Sequence, residues 1–568
     1  MTIGKRTFQS AGKISQHLIP GGYSRIDAVK GAAGFASANN GVIMGSCLGG
    51  QPATLLQFNN LADAVRTLKG GELMEAMRVA FNPGNDYVPQ RLFAMRVNTA
   101  VQSLFYLIDG SSNNMVKLLS KDYGLQQNQL KAKMETSTDT FGKKITIVFK
   151  QDTETFDNIR RTSFTIAYSG GACTMTIVNN STTHTLVTSV GGINITDLAA
   201  YPTIGDLVAY INTQTSFTAA ATAGQEDASS LLLDSVTTVS IATTYTAEST
   251  MQGIIDTINS YSNYCTAVDM SATHSRVIPA NKAYAYFTGG AEGSYTASEW
   301  SAALTKLEAE DIQFVSTPSS SSSVHSVIKT HCESMSNVSR RKERQFLVGG
   351  AWGDSVATAT AASIVLNSKY GLYAYNGFTQ YDVNGVVQNY PASYYACTML
   401  GQMCTAALNE TCTFKTLNVI SLENKLKESD VETLILNGVC AANYNSQGLP
   451  HTVRMLNSYQ TDDLLWNEFS SAKEMLFVSR DLRQYLEGIF VGHPGNNLTG
   501  GVLRGIVLGR LQTYVTLGCF TTGVEGAYWN VSISISGDTV TIDYDAYITL
   551  PVNFMFVTQH FHQIVATI

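Results

Sequence analysis

Apolar residues recur every second position in some stretches of the chain and at helical spacing in most of the rest. In "WNVSISISGDTVTIDYDAY", Trp529, Val531, Ile533 and Ile535 share one face, Gly537-Asp538 supplies a turn, and Val540, Ile542 and Tyr544 return on one face. This predicts a two-residue hairpin with one apolar side. "SFTIAYSGGACTMTIVNNSTTHTLVTSV" alternates in the same way, with Gly and Asn at its turns, and "KKITIVFK" reads as a strand before it. "TIGDLVAYINTQ" and "TMQGIIDTINSY" read as short capped helices, and "NNLADAVRTLKGGELMEAMRVAFNPG" as helices between a strand at Gly41–Gly45 and the strand "RLFAMRV". Further on, Thr296 and Glu299 form a capping box that opens "TASEWSAALTKLEAE". The strand "DIQFVST", a serine-rich loop, a helix through Cys332 and the strand "QFLVGG" follow. That β-α-β order predicts a partly parallel sheet covered by helices. "PASYYACTMLGQMCTAAL" and "SDVETLILNGVCAAN" read as helices, and "LLWNEFSSAKEMLFVSRDLRQYLEGIF" as one long helix or a pair.

The last stretch, "ITLPVNFMFVTQHFHQIVATI", breaks the pattern. Val552, Phe554, Met555, Phe556 and Val557 are apolar on both alternating faces, and no charged residue lies between Ala546 and Ile568. Burying those five side chains contributes about 8–15 kcal/mol, whereas ordering ten residues costs about 10–20 kcal/mol. The segment is therefore expected to be a strand that needs a sheet edge, in its own chain or in another copy.

Composition adds boundaries. From Thr162 to Ser275 there is no Lys or Arg, but eight Asp and Glu and 23 threonines, which marks a separate piece. At 568 residues several domains are expected. The expected division is an N-terminal arm at 1–22, the first part of the α/β and core region at 23–115, an inserted β-rich outer domain at 116–285, an α/β middle domain at 286–429, a C-terminal core domain at 430–550, and a C-terminal arm strand at 551–568. The fold class is accordingly α+β and multi-domain: a core of mixed sheet and helices built from both ends of the chain, an α/β middle domain and an inserted β-rich domain. Only 14% of residues are charged and the net charge is -7, so the chain has no global basic field for nucleic acid. No run of 18 apolar residues suggests a membrane span. No apolar core follows the early charges of "MTIGKRTFQSAGKISQHLIP" as in a secretory leader, and the chain reads as made in the cytosol. The nine cysteines, without paired spacing, read as reduced and mostly buried.

Candidate chemistry is thin. "GGAEGSYTASEW" lacks the lysine and spacing of a phosphate loop. His560 and His562 have no third ligand nearby and read as interface residues, as Cys397 and Cys404 read as helix residues. His331 and Cys332, adjacent on a helix, point about 100° apart. Asp462 and Asp463 suit a helix start. "SRRKER", Ser339 to Arg344, is the only dense basic run and reads as a solvated helix end or a patch for an acidic partner. No catalytic, metal or cofactor site is expected.

Four stretches carry a resemblance to the contractile tail sheath proteins of tailed phages and related contractile particles. "IPGGYSRID" resembles the family's entry after the arm, and "FTGGAEGSYTASEWSAALTKLEAEDIQFVSTP" its Gly-Gly turn, helix and strand. "YPASYYACTMLGQMCTAALNETCTFKTL" is similar to its Pro-x-x-Tyr helix and the element after it. "WNEFSSAKEMLFVSRDLRQYLEGIF" with the closing hairpin resembles its C-terminal domain. The resemblance covers about 390 residues on either side of the Thr-rich block. It implies a non-enzymatic virion subunit that polymerises as stacked hexameric rings around a tail tube, meets baseplate and tail terminator proteins, and contracts to drive the tube through the host envelope. Neither direct nucleic-acid contact nor membrane insertion is implied. It also implies that terminal arms join neighbouring subunits, which points to Phe8, Ile14 and Leu18 at one end and to Val552, Phe554, Phe556, Val557, Phe561 and Ile564 at the other. Arg480, Arg483, Arg504 and Arg510 become candidates for contact with the tube, and Arg504 and Arg510 could equally be helix-face residues packed within the domain. The rival reading is a surface adhesin or other structural assembly protein with a Thr-rich binding domain.

Overall fold

The computed structural model describes residues 35–84, 87–138, 142–271, 274–492 and 500–561 in full, and the backbone of residues 6–10 and 13–17. A central sheet of eight strands runs in the order Pro450–Thr452, Val439–Tyr444, Gly371–Tyr375, Gln345–Gly349, Phe314–Ser316, Gly41–Gly45, Leu92–Arg96 and Leu55–Phe58. The six inner strands are parallel and the two outer ones pair antiparallel. Every residue of the four innermost strands is buried, because helices cover both faces. Ile43, Phe314, Leu347 and Leu372 face the helices Leu61–Leu68, Glu72–Phe81 and Ala392–Thr405. Val42, Val315, Phe346 and Val348 face Ala297–Leu307, Ser322–Met335, Val356–Leu366 and Glu428–Leu436. Two helices of the first layer touch closely at Gly401, where an added Cβ would lie 2.0 Å from the Ala80 carbonyl oxygen. The expected capping box is present: the Thr296 N–H donates to Glu299 Oε2 at 2.7 Å.

Two strong sheets and a helix make the first lobe of the inserted region. Strands Asp152–Ile159, Lys143–Phe149, Leu130–Thr136 and Lys282–Tyr286 form one sheet, and Cys265–Asp269, Asn114–Tyr123 and Gln102–Ile108 the other. The helix Thr250–Tyr261 shares their core. The Thr-rich block is not one piece: its residues up to Glu248 form a second lobe of two small sheets around the helix Ile204–Asn212, with its own core of residues such as Phe164, Ile177 and Leu207, and the rest of it, from Thr250 on, returns to the first lobe. Gln102–Ile108 is hydrogen-bonded into the first lobe, so that unit begins before residue 116.

Two further expectations are corrected. The segment read as one helix from Ser429 to Asn443 is a helix only to Leu436. Gly438 then adopts φ +65°, a left-handed conformation that ends a helix cheaply only at glycine, and the chain re-enters the central sheet at Val439. Residues 430–550 are therefore not a single unit. The terminal hairpin, Tyr528–Ser536 with Thr539–Ala546, has its two-residue turn, but its register shifts between Trp529 and Ser532. Asn530 sits at φ +51° there, and the Trp529 ring packs on Tyr547 with centroids 4.5 Å apart and planes tilted by 36°. Residues 551–561 pair with no strand among the described residues.

Candidate functional site

The C-terminal unit is built on the helix Phe469–Phe490, called here the long helix, the helix Gly500–Thr516 and the terminal hairpin. Their apolar faces meet around Phe477, Leu482, Val507, Leu511, Tyr514 and Val531. Ala36 and Thr549 are both bonded into this unit.

The N-terminal side is pinned by Asp481, whose side chain is 1% exposed. Its Oδ1 accepts from the Ala36 backbone N–H at 2.8 Å and from Arg510 Nη2 at 2.7 Å. Oδ2 accepts from Arg510 Nε at 2.8 Å and from the Tyr514 hydroxyl at 2.6 Å. Burial and that carboxylate push the Tyr514 hydroxyl well above its ordinary range. Arg480 lies beside this node and donates to the carbonyls of Glu343, at 3.2 Å, and Ser37.

These bonds correct the reading of the arginines. Arg480 and Arg510 are buried and engaged within the chain. Arg483 holds Glu343 through two bonds of 2.8 Å. Only Arg504 is exposed, and it donates to the Val531 carbonyl. "SRRKER" is paired within the chain, in part at its exposed surface. Arg340 pairs with Glu308 and Arg341 with Glu487, each at 2.7 Å. Arg344 is buried against His331 Nε2 at 2.6 Å and the carbonyls of Leu307 and Glu310. Arg344 is the arginine of the run that folds inward, whereas Arg340 and Arg341 keep side chains 51% and 58% exposed in surface pairs.

The C-terminal side has a second anchor. Thr549 donates through its N–H to the Cys519 carbonyl at 2.9 Å and through its hydroxyl to Gly518 at 2.7 Å. Asn553 Nδ2 donates to Glu468 Oε1 at 2.9 Å, the oxygen that also accepts from Arg454 Nε at 2.8 Å and Nη2 at 2.5 Å. Burial raises the Glu468 carboxyl above its usual range despite that arginine. Arg454 also stands over the Phe554 ring, 5.8 Å from its centroid.

Past this anchor the side chains reach solvent. Val552, Phe554, Met555, Phe556, Val557 and Phe561 are between 69% and 93% exposed. Ile564 and Leu18 lie outside the described residues, as does His562. Phe8 and Ile14 belong to a two-stranded hairpin, Arg6–Ser10 with Lys13–His17, that forms a sheet of its own. Two cavities of about 500 and about 790 Å³, which share Arg483 and Leu486, lie between the long helix and the terminal hairpin. Leu482, Phe490, Ile535, Val540 and Ile542 give them an apolar lining. The anchors Asp481, Tyr514, Glu343 and Glu468 had not been singled out from the sequence; only the run of charged residues within an otherwise apolar helix hinted at them. Among the described residues, no group of three or more His, Cys, Asp and Glu could hold a metal ion.

The phage tail sheath protein central domain matches residues 293–449. The tail sheath protein of Bacillus phage SP01 is 26% identical over 564 residues, covering 95% of each chain. That of Staphylococcus phage Twort is 24% identical over 522 residues, covering 84% of this chain and 87% of the relative. These relatives are structural proteins, not enzymes. Among solved structures, a sheath tail protein from Listeria innocua superposes with a TM-score of 0.55 at 12% identity, covering 90% of this chain and 92% of its own. One from Desulfitobacterium hafniense gives 0.53 at 10% identity, covering 93% and 100%. The fold is thus that of these sheath tail proteins, and the chain is similar to tail sheath proteins of phages along most of its length, with residues 293–449 matching the central domain of that family.

Proposed function

We propose that this protein is the polymerising subunit of a contractile tail sheath, joined to its neighbours by exchange of its terminal segments. The observation that carries this reading is the tail from Val552 to Phe561: anchored at Thr549 and Asn553, apolar on both faces, exposed, and paired with no strand among the described residues of its own chain. Strand addition meets both of its needs. The terminal hairpin has only two strands, so each offers an open edge to which an extended segment can bond. The cavities between that hairpin and the long helix offer apolar cover for the same segment. The N-terminal hairpin, two strands without a third, is marginal alone and has the same need.

In this reading copies repeat head to tail as six-membered rings stacked into a helix around a tail tube, in a virion tail that ends at baseplate and terminator proteins. Strand-linked copies can rotate and slide without separating, and contraction draws its free energy from contacts between copies rather than from a nucleotide. The C-terminal unit faces the tube, with Arg504 as its exposed basic candidate, the central sheet lies outside it, and the Thr-rich lobe is outermost. Removing residues 552–568, or the first 18, is expected to give a soluble subunit that no longer forms striated tubes in negative-stain electron microscopy. Long tubes from both truncations would sink the exchange reading.

A further inference from the structure

The sheet of the central unit reverses its strand order at one place, and two sequence features that assembly does not use meet there. From Gly41–Gly45 the chain adds Leu92–Arg96 on one side and, much later, Phe314–Ser316 on the other, all parallel. The crevice beyond the carboxyl ends of two such strands is where open parallel sheets bind ligands. Here the serine-rich loop leaves the end of Phe314–Ser316, and the Pro-x-x-Tyr start of the helix Ala392–Thr405 stands against it: the Ser393 hydroxyl donates to the Pro318 carbonyl at 2.6 Å. The helix Glu72–Phe81 starts beside them, its Leu73 N–H donating to the Ser46 carbonyl at 2.9 Å.

Between these elements lies a cavity of about 580 Å³, lined by the serine loop, Glu72, Glu75, Asp382, Tyr390 and Tyr394. Lys425 and Lys427 do not line it, and neither does any other cation among the described residues. Arg78 is bound to Glu75 at 2.7 Å and lies over the Tyr390 ring, 5.1 Å from its centroid, so that carboxylate is neutralised. Glu72 and Asp382 have no ion-pair partner among the described residues, and Arg78 acts on Asp382 only at a distance. Tyr394 is 8% exposed, and its hydroxyl meets only the Glu72 carbonyl, at 3.5 Å, which is too long for a good O–H···O bond. Nothing among the described residues donates to its oxygen. These groups decide the ligand. Unpaired carboxylates repel phosphates and other anions, aromatic faces attract cations, and Glu72, Glu75 and Asp382 do not converge as a metal-binding group among the described residues.

We propose that this crevice binds a linear aliphatic diamine, with one ammonium group on Glu72, the other on Asp382, and the methylene chain against the Tyr390 and Tyr394 rings. Charge and number match: two unpaired carboxylates take two ammonium groups, and the Tyr394 oxygen accepts from an ammonium N–H that nothing in the chain supplies. The bound diamine ties the start of the helix Glu72–Phe81 to the turn that carries Asp382, inside the central unit and away from both arms. The site therefore does not depend on the sheath reading.

Titration calorimetry of the full-length protein with putrescine, at constant ionic strength, tests it against butylamine and butanediol, which have the same chain with one ammonium group and none. Putrescine should bind saturably, one per chain and at least tenfold more tightly than butylamine, and butanediol should give no binding heat. Glu72→Gln and Asp382→Asn should each reduce putrescine to the affinity of butylamine while leaving the melting temperature of the free protein unchanged. Glu72 is exposed, and an asparagine at 382 can still accept the Asn384 and Val386 N–H groups that Asp382 Oδ1 holds at 2.8 and 2.9 Å. Tyr394→Phe should weaken putrescine severalfold. Putrescine that gives no saturable heat, that binds no better than butylamine, or that binds both carboxylate variants as it binds the wild type would overturn the site.

Discussion

The central sheet and the C-terminal tail contain nearly the same kind of sequence and meet opposite fates. Phe346-Leu347-Val348 and Phe554-Met555-Phe556 are both apolar on two faces. The first is wholly buried between two helical layers, and the second is exposed throughout. Propensity does not separate them. Cover does: helices before and after Gln345–Gly349 supply both faces, whereas only an Asn553–Glu468 bond and one arginine over Phe554 hold the tail to its own chain. An apolar strand that its own chain leaves uncovered is a surface meant for something else.

Truncating one aromatic in each region breaks or upholds this contrast most directly. Phe346 is fully buried, and its ring lies 2.3 Å from where a Cβ on Gly371 would fall, so the surroundings are shaped to it. Phe346→Ala is expected to lower subunit stability by about 3–5 kcal/mol through lost burial and a cavity. Phe556→Ala should leave subunit stability within about 0.5 kcal/mol but weaken tube formation. Chemical denaturation of both variants, paired with sedimentation of assemblies, gives the comparison; a large stability loss in Phe556→Ala would mean the tail is covered within its own subunit.

A charged substitution in the C-terminal unit sharpens the contrast from the other side. Asp481→Asn keeps the shape but removes the charge opposite Arg510, whose side chain is 7% exposed. Leaving a buried guanidinium without its counter-charge costs about 3 kcal/mol or more. The loss should appear in urea unfolding, with increased protease cutting near residue 36, because the Ala36 N–H bonds the same carboxylate. Unfolding curves superimposable on the wild type would show that the node orders nothing.

Much of the fold was legible because it is local. The hairpin at Gly537-Asp538, the capping box at Thr296 and the alternation of helix and strand after residue 286 each declare themselves within a dozen residues. The candidate site was legible only where composition spoke, in the neutral apolar tail. The charged nodes were not, since Asp481 and Arg510 lie 29 positions apart and Glu343 and Arg483 lie 140 apart. A lone arginine on a helix reads as surface until its distant partner is known. Strand Val439–Tyr444 was hidden for a related reason: Cys440, Ala441 and Ala442 fit a helix as well as a strand, and a neighbouring strand, not propensity, decided between them.

The smallest effect expected is one of pH, and it concerns the central unit alone. His331 is buried beside Arg344, and burial first, then that guanidinium, lowers its imidazole to about 4; Glu308, which opposes the shift, and Arg340, which adds to it, are the other charges near it. With the ordinary value of 6.5 in the unfolded chain, the unfolded state binds more protons between pH 6.5 and 4. Stability therefore rises with pH across that window, is fully present above it, and is lost as pH falls. The histidine should account for about 2 kcal/mol of lost stability between pH 7 and pH 5. His331→Gln, which can still accept from Arg344, should flatten the profile by that amount in denaturant unfolding at the two pH values. An equal slope in His331→Gln would show that the imidazole is not held neutral.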